Sequence, residues 1–506
     1  KTLLDFNDIN FRGDRIEIIE NREIIIKDVF QFLKTVSFTG KLAANRISSR
    51  DFKLENLSAE IKNENGVLTA DPVALQYLGS SSKLRASLDL RQSKSKFESS
   101  VNLSGLSLKA LAAKYFPAVK INGKVNCTAE LSAEEIQLEL LADYLSQTGK
   151  PAVSKKIPIK LVRVDNFTVA GTDLTYSDKT VNIDKTKLNV KGDRLAIIEN
   201  NRWKLSDFDD FLRATKLNGN AAIERLTVPD ELFENIKGDF SNNHGVFKAD
   251  AIKLQYFGEH AEIGFKWNLK EKTEQVELRV EMPEQRTRQL LKKSDDVDLL
   301  EGTLNIKAEF KSSGADWGAL AKNISGHVII KGANMILHDV DLDKALNEFQ
   351  KMGAYGFGDL FGLLTLGPLG TVVTQGYDQL ESLEKMMAAE GNSRIQQIVS
   401  DWNVVKGVAY ANDVAFSTAR HRVAITGKLD FINQRFGKIT IAAVDADGCI
   451  VNKEVIDGPF DKPEVEEVRV VQRTLVRPLK KFLATKCDKP FYTGSVDHPS
   501  TVPGKK

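Results

Sequence analysis

The side chains of this 506-residue chain that could carry chemistry are six histidines, three cysteines and many interspersed carboxylates. Acid–base, nucleophilic and metal chemistry require such groups at particular spacings, as in HExxH, GxSxG, CxxC or a P-loop. His244, His260, His327, His338, His421 and His498 are scattered, and none falls in such a motif. The carboxylates alternate with Lys and Arg along stretches of strand period, where cross-strand ion pairing is their ordinary role. The Gly-rich run at 353–370 neither follows a strand nor opens a helix, as a dinucleotide site would. The sequence therefore offers no catalytic residue, metal site or cofactor, and a non-enzymatic protein is expected.

What the chain does offer is a repeated pattern of alternation, clearest at 261–282. Ile263, Phe265, Trp267 and Leu269 alternate with Glu262, Lys266, Asn268 and Lys270, and after a charged turn Val276, Leu278, Val280 and Met282 alternate with Glu277, Arg279 and Glu281. Period two places successive side chains on opposite faces of a strand, so this is a hairpin with one apolar and one charged face. Something must cover the apolar face, and its identity decides what the protein does.

Composition narrows the choices. A net charge of +2 with both signs interspersed gives no basic field for nucleic acid. Three cysteines are too few for a disulfide scaffold. No apolar run reaches the roughly 18 residues of a membrane span.

Residues 1–131 and 180–310 are two copies of one unit at a constant offset: Asp14 and Asp193, Tyr77 and Tyr256, Gly123 and Gly302 each differ by 179. GDRIEIIEN at 13–21 recurs as GDRLAIIEN at 192–200, and LQYLG at 75–79 as LQYFG at 254–258. Each copy reads as a meander of strands with turns at Asn-Gly, Gly-Ser and Lys/Ser clusters. Short helices are expected at 28–35 and 207–214, with amphipathic pieces at 108–116 and 134–149. These are too few to cover so many strands. Because Lys1 aligns with Thr180, in the middle of the second copy's pattern, the chain is expected to continue upstream. The organisation expected is a first β repeat at 1–149, a second at 150–325, a distinct region at 326–496 and a disordered tail at 497–506. Within that third region the pattern gives a strand, a helix DLDKALNEFQ, a charged helix near 378–400 and then returning strands.

The third region carries specific motifs: GPLGTVVTQGY at 367–377, IVSDWN at 398–403, GVAYANDVA at 407–415, GKLDFINQRF at 427–436, CIVNKEVIDGPFDKP at 449–463 and CDKPFYTGSV at 487–496. These resemble the C-terminal region of bacterial AsmA-family proteins, and the upstream repeats are similar to that family in pattern. The resemblance implies a periplasmic protein anchored in the inner membrane by an N-terminal helix that is not part of this sequence. It also implies transport of phospholipid towards the outer membrane along a β-sheet groove, with partner proteins at either end.

Pattern and resemblance together predict a mainly β fold: an elongated, curved antiparallel β-sheet groove built from tandem repeats with a few short amphipathic helices. About 25 strands at roughly 4.8 Å spacing would extend on the order of 100 Å. The expected groove lining is Leu84, Leu88, Leu90, Val101, Leu103, Val125, Cys127 and Leu131 in the first copy. In the second it is Ile263, Phe265, Trp267, Leu269, Val276, Leu278, Val280, Leu304, Ile306 and Phe310. The oxidising compartment implied by the resemblance suggests a disulfide between Cys449 and Cys487, the alternative being two unrelated buried thiols. Leu360, Phe361, Leu363, Leu364 and Leu366, with Arg477, Lys480 and Lys481, are candidates for membrane contact, or else a buried cap. The competing function is an assembly factor for outer-membrane proteins whose sheet edges pair with client strands.

Overall fold

A computed structural model describes residues 3–13, 19–20, 23–24, 29–48, 53–115, 117–138, 140, 157–204, 208–229, 231–271, 273–287, 300–352, 391–466 and 487–501. The fold is mainly β and antiparallel, with a few short helices. It comprises two compact units, residues 1–252 with 267–270, and residues 253–266 with 271–506.

In the first unit a single ladder runs through Leu3–Gly13, Ser37–Ser48, Lys53–Glu64, Val67–Tyr77, Ser80–Asp89, Ser95–Ser107, Ile121–Ile136, Ile159–Ser177, Asn182–Asp193, Lys216–Val228 and Glu231–Asn243. Each strand pairs antiparallel with the next; the connections from Gly13 to Ser37, Ser107 to Ile121, Ile136 to Ile159 and Asp193 to Lys216 are longer, whereas tight turns make those such as Glu64 to Val67 and Tyr77 to Ser80. Asn65-Gly66 is such a turn, with both residues at positive φ (47° and 87°), and His244-Gly245 repeats it at 48° and 87°.

Helices Val29–Thr35 and Phe208–Ala214 precede equivalent strands in the two copies. At seven residues each they are too short to persist alone. A buried asparagine holds each one. Asn63 Nδ2 donates to Leu33 O (2.7 Å) and Val36 O (2.5 Å); Asn242 Nδ2 donates to Leu212 O and Thr215 O (both 2.7 Å). The turn beside each clamp is closed in the same way, by Leu90 N to Gly66 O and Leu269 N to Gly245 O, both 2.7 Å. Every one of these residues differs from its counterpart by 179 (242 − 63, 212 − 33, 269 − 90), so the duplication extends to individual hydrogen bonds.

The second unit's ladder runs through Glu274–Arg286, Thr303–Gly314, Ser325–Leu337, Ser393–Val405, Val408–Ser417, Arg422–Asp430, Arg435–Val444, Ile450–Pro459 and Glu464–Glu466. From Thr303 onward one face of this sheet is closed, and from Ser393 to Val444 the other face is covered as well. On one face Leu304, Ile330, Ile398, Phe416 and Ile441 form a closed core with Leu342 and Leu346 of helix Leu342–Met352. On the other, Val399, Ala415, Ala424, Ala442 and Val444 are covered by Tyr492 and Val496 of the terminal segment.

Three local expectations are corrected. Glu134–Ile136 continue a strand and not a helix, because Ala133 and Ile136 are paired on both sides, with Phe97 and Ser95 and with Val162 and Ile159. Residues 393–400 are strand where a charged helix was expected, since Ile395 and Ile398 pair with Met335 and Gly332 and enter the core. Residues 497–501 are ordered: Asp497 N donates to Gln397 Oε1 (2.9 Å), and Pro499 is buried in a short 3-10 turn.

Candidate functional site

The candidate site is the apolar face of the first unit, built row by row from strand register. One row crosses the ladder as Leu42, Ala59, Val73, Leu84, Val101 and Ala129. A second, two residues along the same strands, continues as Leu103, Cys127, Val169, Val190, Gly219 and Phe240. Val101 and Leu103 share a face, so the two rows join into one apolar surface spanning ten consecutive strands. Apart from Ala59 and Val73, every side chain in these rows remains only half-buried. Of the expected lining, Leu84, Leu88, Val101, Leu103, Cys127 and Leu131 lie on this half-buried face, and Val125 is buried in it against Leu106 and Leu174.

The opposite face is polar by the same register. Lys83, Asn102, Thr128, Thr168, Lys191, Asn218 and Ser241 form one row across it, and Arg85, Ser100, Glu130 and Asp165 another. Lys41–Glu60 (3.3 Å) and Lys185–Glu224 (2.9 Å) are typical ion pairs of that face, too exposed to contribute much stability. At its edge Glu135 lies between Lys160 and Lys94, whose hydrogen bonds hold its carboxyl below the usual range.

Two aromatic rings shape the apolar floor. A Cβ at Gly219 would lie 2.5 Å from the Phe240 ring and 2.7 Å from Asn189 O. The absence of a side chain there lets the ring lie flat on the neighbouring strand, filling the gap that glycine leaves. Phe167 covers Gly192 in the same manner. Cys127 is a small apolar member of the floor; burial pushes its thiol above the ordinary value, away from the reactive thiolate.

Other expected lining residues are placed differently. Leu90 and Leu269 are each 1% exposed beside the clamped turns, and Arg213 Nε donates to Leu269 O (3.1 Å). They close the ends of the sheet and do not line its open face. In the second unit Ile263, Phe265, Val276, Leu278, Val280 and Phe310 are half-buried, whereas Leu304 and Ile306 lie within the closed core. Along this ladder the apolar face passes from half-open at Leu278, paired with Phe310, to closed at Ile306, paired with Ile330. Trp267 is half-buried and belongs to the first unit.

Among the described residues no group of His, Cys, Asp and Glu side chains could hold a metal ion. His327 meets Asp401 (2.6 Å), His338 meets Glu301 (2.9 Å), and His421 meets Asp343 (2.7 Å), each at a separate place in the second unit.

A second constellation, invisible as such in the sequence, fastens the terminal segment. Tyr492 Oη donates to Asp413 Oδ1 (2.7 Å), while Ser495 N and Oγ donate to Asp413 Oδ2 (2.9 and 2.6 Å). Buried Arg422 donates to Val496 O (3.1 Å) and Asp445 O (2.6 Å), its guanidinium 5.2 Å from the Tyr492 ring centre. Burial and the Asp413 carboxylate drive the Tyr492 phenol well above its ordinary value, so it stays a donor. Gly494 is required here, since a Cβ would fall 2.1 Å from Asp413 Oδ1. A disulfide joins Cys449 to Cys487 with Cα atoms 5.9 Å apart and anchors the start of the segment. The motifs at 407–415, 449–463 and 487–496 thus meet at one clasp.

Residues 136–363 match the AsmA family. No curated protein matches the chain. The AsmA-family segment takes in the first unit's ladder from Ile159–Ser177 onward, and in the second unit strands through Ser325–Leu337 and helix Leu342–Met352. It therefore covers the second copy of the repeat, and the motifs quoted from 367 onward lie beyond it. Among the described residues no helix is long and apolar enough to cross a membrane. Leu360, Phe361, Leu363, Leu364, Leu366, Arg477, Lys480 and Lys481 lie outside the described residues.

Two groups of structural residues escaped the reading of alternation. The asparagine clamps sit at polar positions on strands otherwise read by period alone, although their 179-residue spacing marks them once the copies are aligned. The Asp413 clasp depends on contacts between residues 82 apart (495 − 413), for which only the motif composition gave a sign.

Proposed function

We propose that this AsmA-family chain is a non-enzymatic lipid-transfer protein of the bacterial envelope, in which phospholipid acyl chains lie along the apolar face of the β ladder. One observation carries the reading: that apolar face is continuous in register across ten strands yet left half-buried, whereas from Thr303 onward the apolar face of the second unit's sheet is closed by the chain's own residues. A contiguous apolar surface of that extent is unfavourable in water and marks a site where apolar matter binds. Acyl chains, flexible and without polar requirements, suit a floor whose backbone polar groups are already paired in the ladder. Specificity is broad, because such a floor contacts chains and not head groups. The compartment proposed is the periplasm, with attachment to the inner membrane and passage towards the outer membrane with partner proteins at the ends.

Photo-crosslinkers at Leu103 and at neighbouring Asn102 test this reading, since register places them on opposite faces. Leu103 should capture phospholipid identified by mass spectrometry, and Asn102 should not. Equal capture at both sites, or purified protein free of lipid that still binds unfolded outer-membrane proteins, would replace lipid transfer with the assembly-factor reading.

A further inference from the structure

At one end of the first unit's apolar face lies a cavity of about 530 Å³, within the roughly 300–1,000 Å³ of small-ligand sites. Asn63 follows Ala59 on one strand in regular register, so it points to the same face, and helix Val29–Thr35, which it clamps, overlies the end of that face. Phe30 and Lys34 of the helix line the cavity together with Leu90, two residues beyond Leu88. Gln92, Ser93, Lys94, Ser95 and Gln137 give its wall polar groups. Ser95 is 5% exposed, and its hydroxyl, like the side chains of Lys34, Gln92, Ser93 and Gln137, has no hydrogen-bond or ion-pair partner among the described residues. Donors gathered round a cavity and left unused suit a ligand that accepts.

We propose that the cavity receives the phosphate of a phospholipid whose acyl chains continue onto the apolar face from Leu88. Charge selects that occupant. Lys34 and Lys94 line the cavity, and no described carboxylate does. At its edge Asp89 pairs with Arg91 (2.6 Å), and Glu135 pairs with both Lys94 and Lys160, so four cations face two carboxylates among these groups. The duplication supplies a comparison. Shifted by 179, the ten lining positions carry Arg213 and Lys272 in the second copy, but also Asp209, Glu271, Glu274 and Asp316. Arg213 is moreover engaged by Leu269 O (3.1 Å), whereas Lys34 keeps its ammonium free. The copies thus share a scaffold and differ in sign at this place. Phosphate oxygens accept from ammonium, hydroxyl and amide groups alike, and Phe30, Leu90 and Leu138 lie beside them where the chains begin. The inference rests on the lipid-transfer reading and adds the head-group end to it. Phosphate is common to all phospholipids, so the cavity separates them from phosphate-free lipids and leaves specificity among them broad.

Titration of the full chain, stripped of lipid, with fluorescent phosphatidylglycerol and with diacylglycerol of identical acyl chains in detergent micelles tests the proposal. Phosphatidylglycerol should bind about tenfold more tightly. Lys34→Gln should lower its affinity about fivefold, and Gln92→Glu, which gives the position its second-copy residue, about tenfold, each with diacylglycerol binding and circular dichroism unchanged. Lys41→Gln, on the polar face, should change neither. Crosslinkers at Leu103 should capture both lipids in every variant. Loss of capture there marks failure of the groove itself, whereas capture of both without a phosphate preference overturns the head-group site alone. Equal affinity of the parent and both cavity variants for phosphatidylglycerol would also overturn it. So would glycerol 3-phosphate displacing the lipid at equal concentration, which would make the cavity a site for free phosphate esters.

Discussion

Replacing Asn242 by alanine should release helix Phe208–Ala214 from the sheet. The Asn242 amide donates to Leu212 O and Thr215 O at 2.7 Å and lies 3.2 Å from Thr215 Oγ1. Two such bonds contribute about 1 kcal/mol each, and the carbonyls left behind in a buried site add about another 1 kcal/mol, for a total near 3 kcal/mol. A helix of seven residues has no reserve of its own, so the loss falls locally, on the burial of Leu212 and on the turn at Gly245. The assay is hydrogen exchange. Amides of 208–214 and of Leu269 should exchange on the order of a hundredfold faster, while those in the centres of strands 182–193 and 216–228 change little. Asn63→Ala should act equivalently on helix Val29–Thr35 through Leu33 O and Val36 O. Asn242→Asp should be at least as damaging as alanine, because it turns an acceptor towards two carbonyls. Unchanged exchange at Leu269 together with a urea-unfolding free energy within about 0.5 kcal/mol of the parent would show that the clamp does not hold the helix.

Val101→Asp should leave the ladder folded, because its half-buried site admits water, yet abolish lipid co-purification: an ionised group among acyl chains costs several kcal/mol. Lipid content equal to the parent's would argue against acyl chains on that row. Thiol counting in denaturant without reductant should find one free cysteine, Cys127, and Cys487→Ser should loosen residues 487–501, the 38-residue loop contributing about 4 kcal/mol in the chain-entropy picture. Three free thiols would be incompatible with the bridge. Burial raises the Asp343 carboxyl, but hydrogen bonds from His421 and Thr418, with the charges of His421 and Arg420, outweigh burial and hold it below the ordinary value. A depressed carboxyl gives stability that is present above its ordinary value, about pH 4, and lost as pH falls through the lower folded value. Acid unfolding followed by near-ultraviolet circular dichroism should therefore show that loss in the parent and a flatter profile in Asp343→Asn; identical profiles would remove Asp343 from the account.

Alternation, repeat and turn residues determine much of this protein by themselves. Period two at Leu84–Leu88 and Val101–Leu103 assigns each side chain a face, and a one-residue slip would put leucine in water, so face and register follow from local sequence. The 179-residue offset likewise fixes two equivalent turns and two equivalent helices before any contact is known. What covers an apolar face is a different kind of fact. Leu103 and Ile306 share the same pattern, but only tertiary packing leaves the first half-exposed and encloses the second with Ile330, Leu342 and Leu346. Residues 393–400 read as helix until Met335 and Gly332 claim their backbone as a strand. The clasp of Asp413, Arg422 and Tyr492 is likewise set by distant chain segments. Strand identity and facing are local because the pleat imposes them residue by residue; closure is decided by long-range burial, whose free energy depends on which distant surfaces meet.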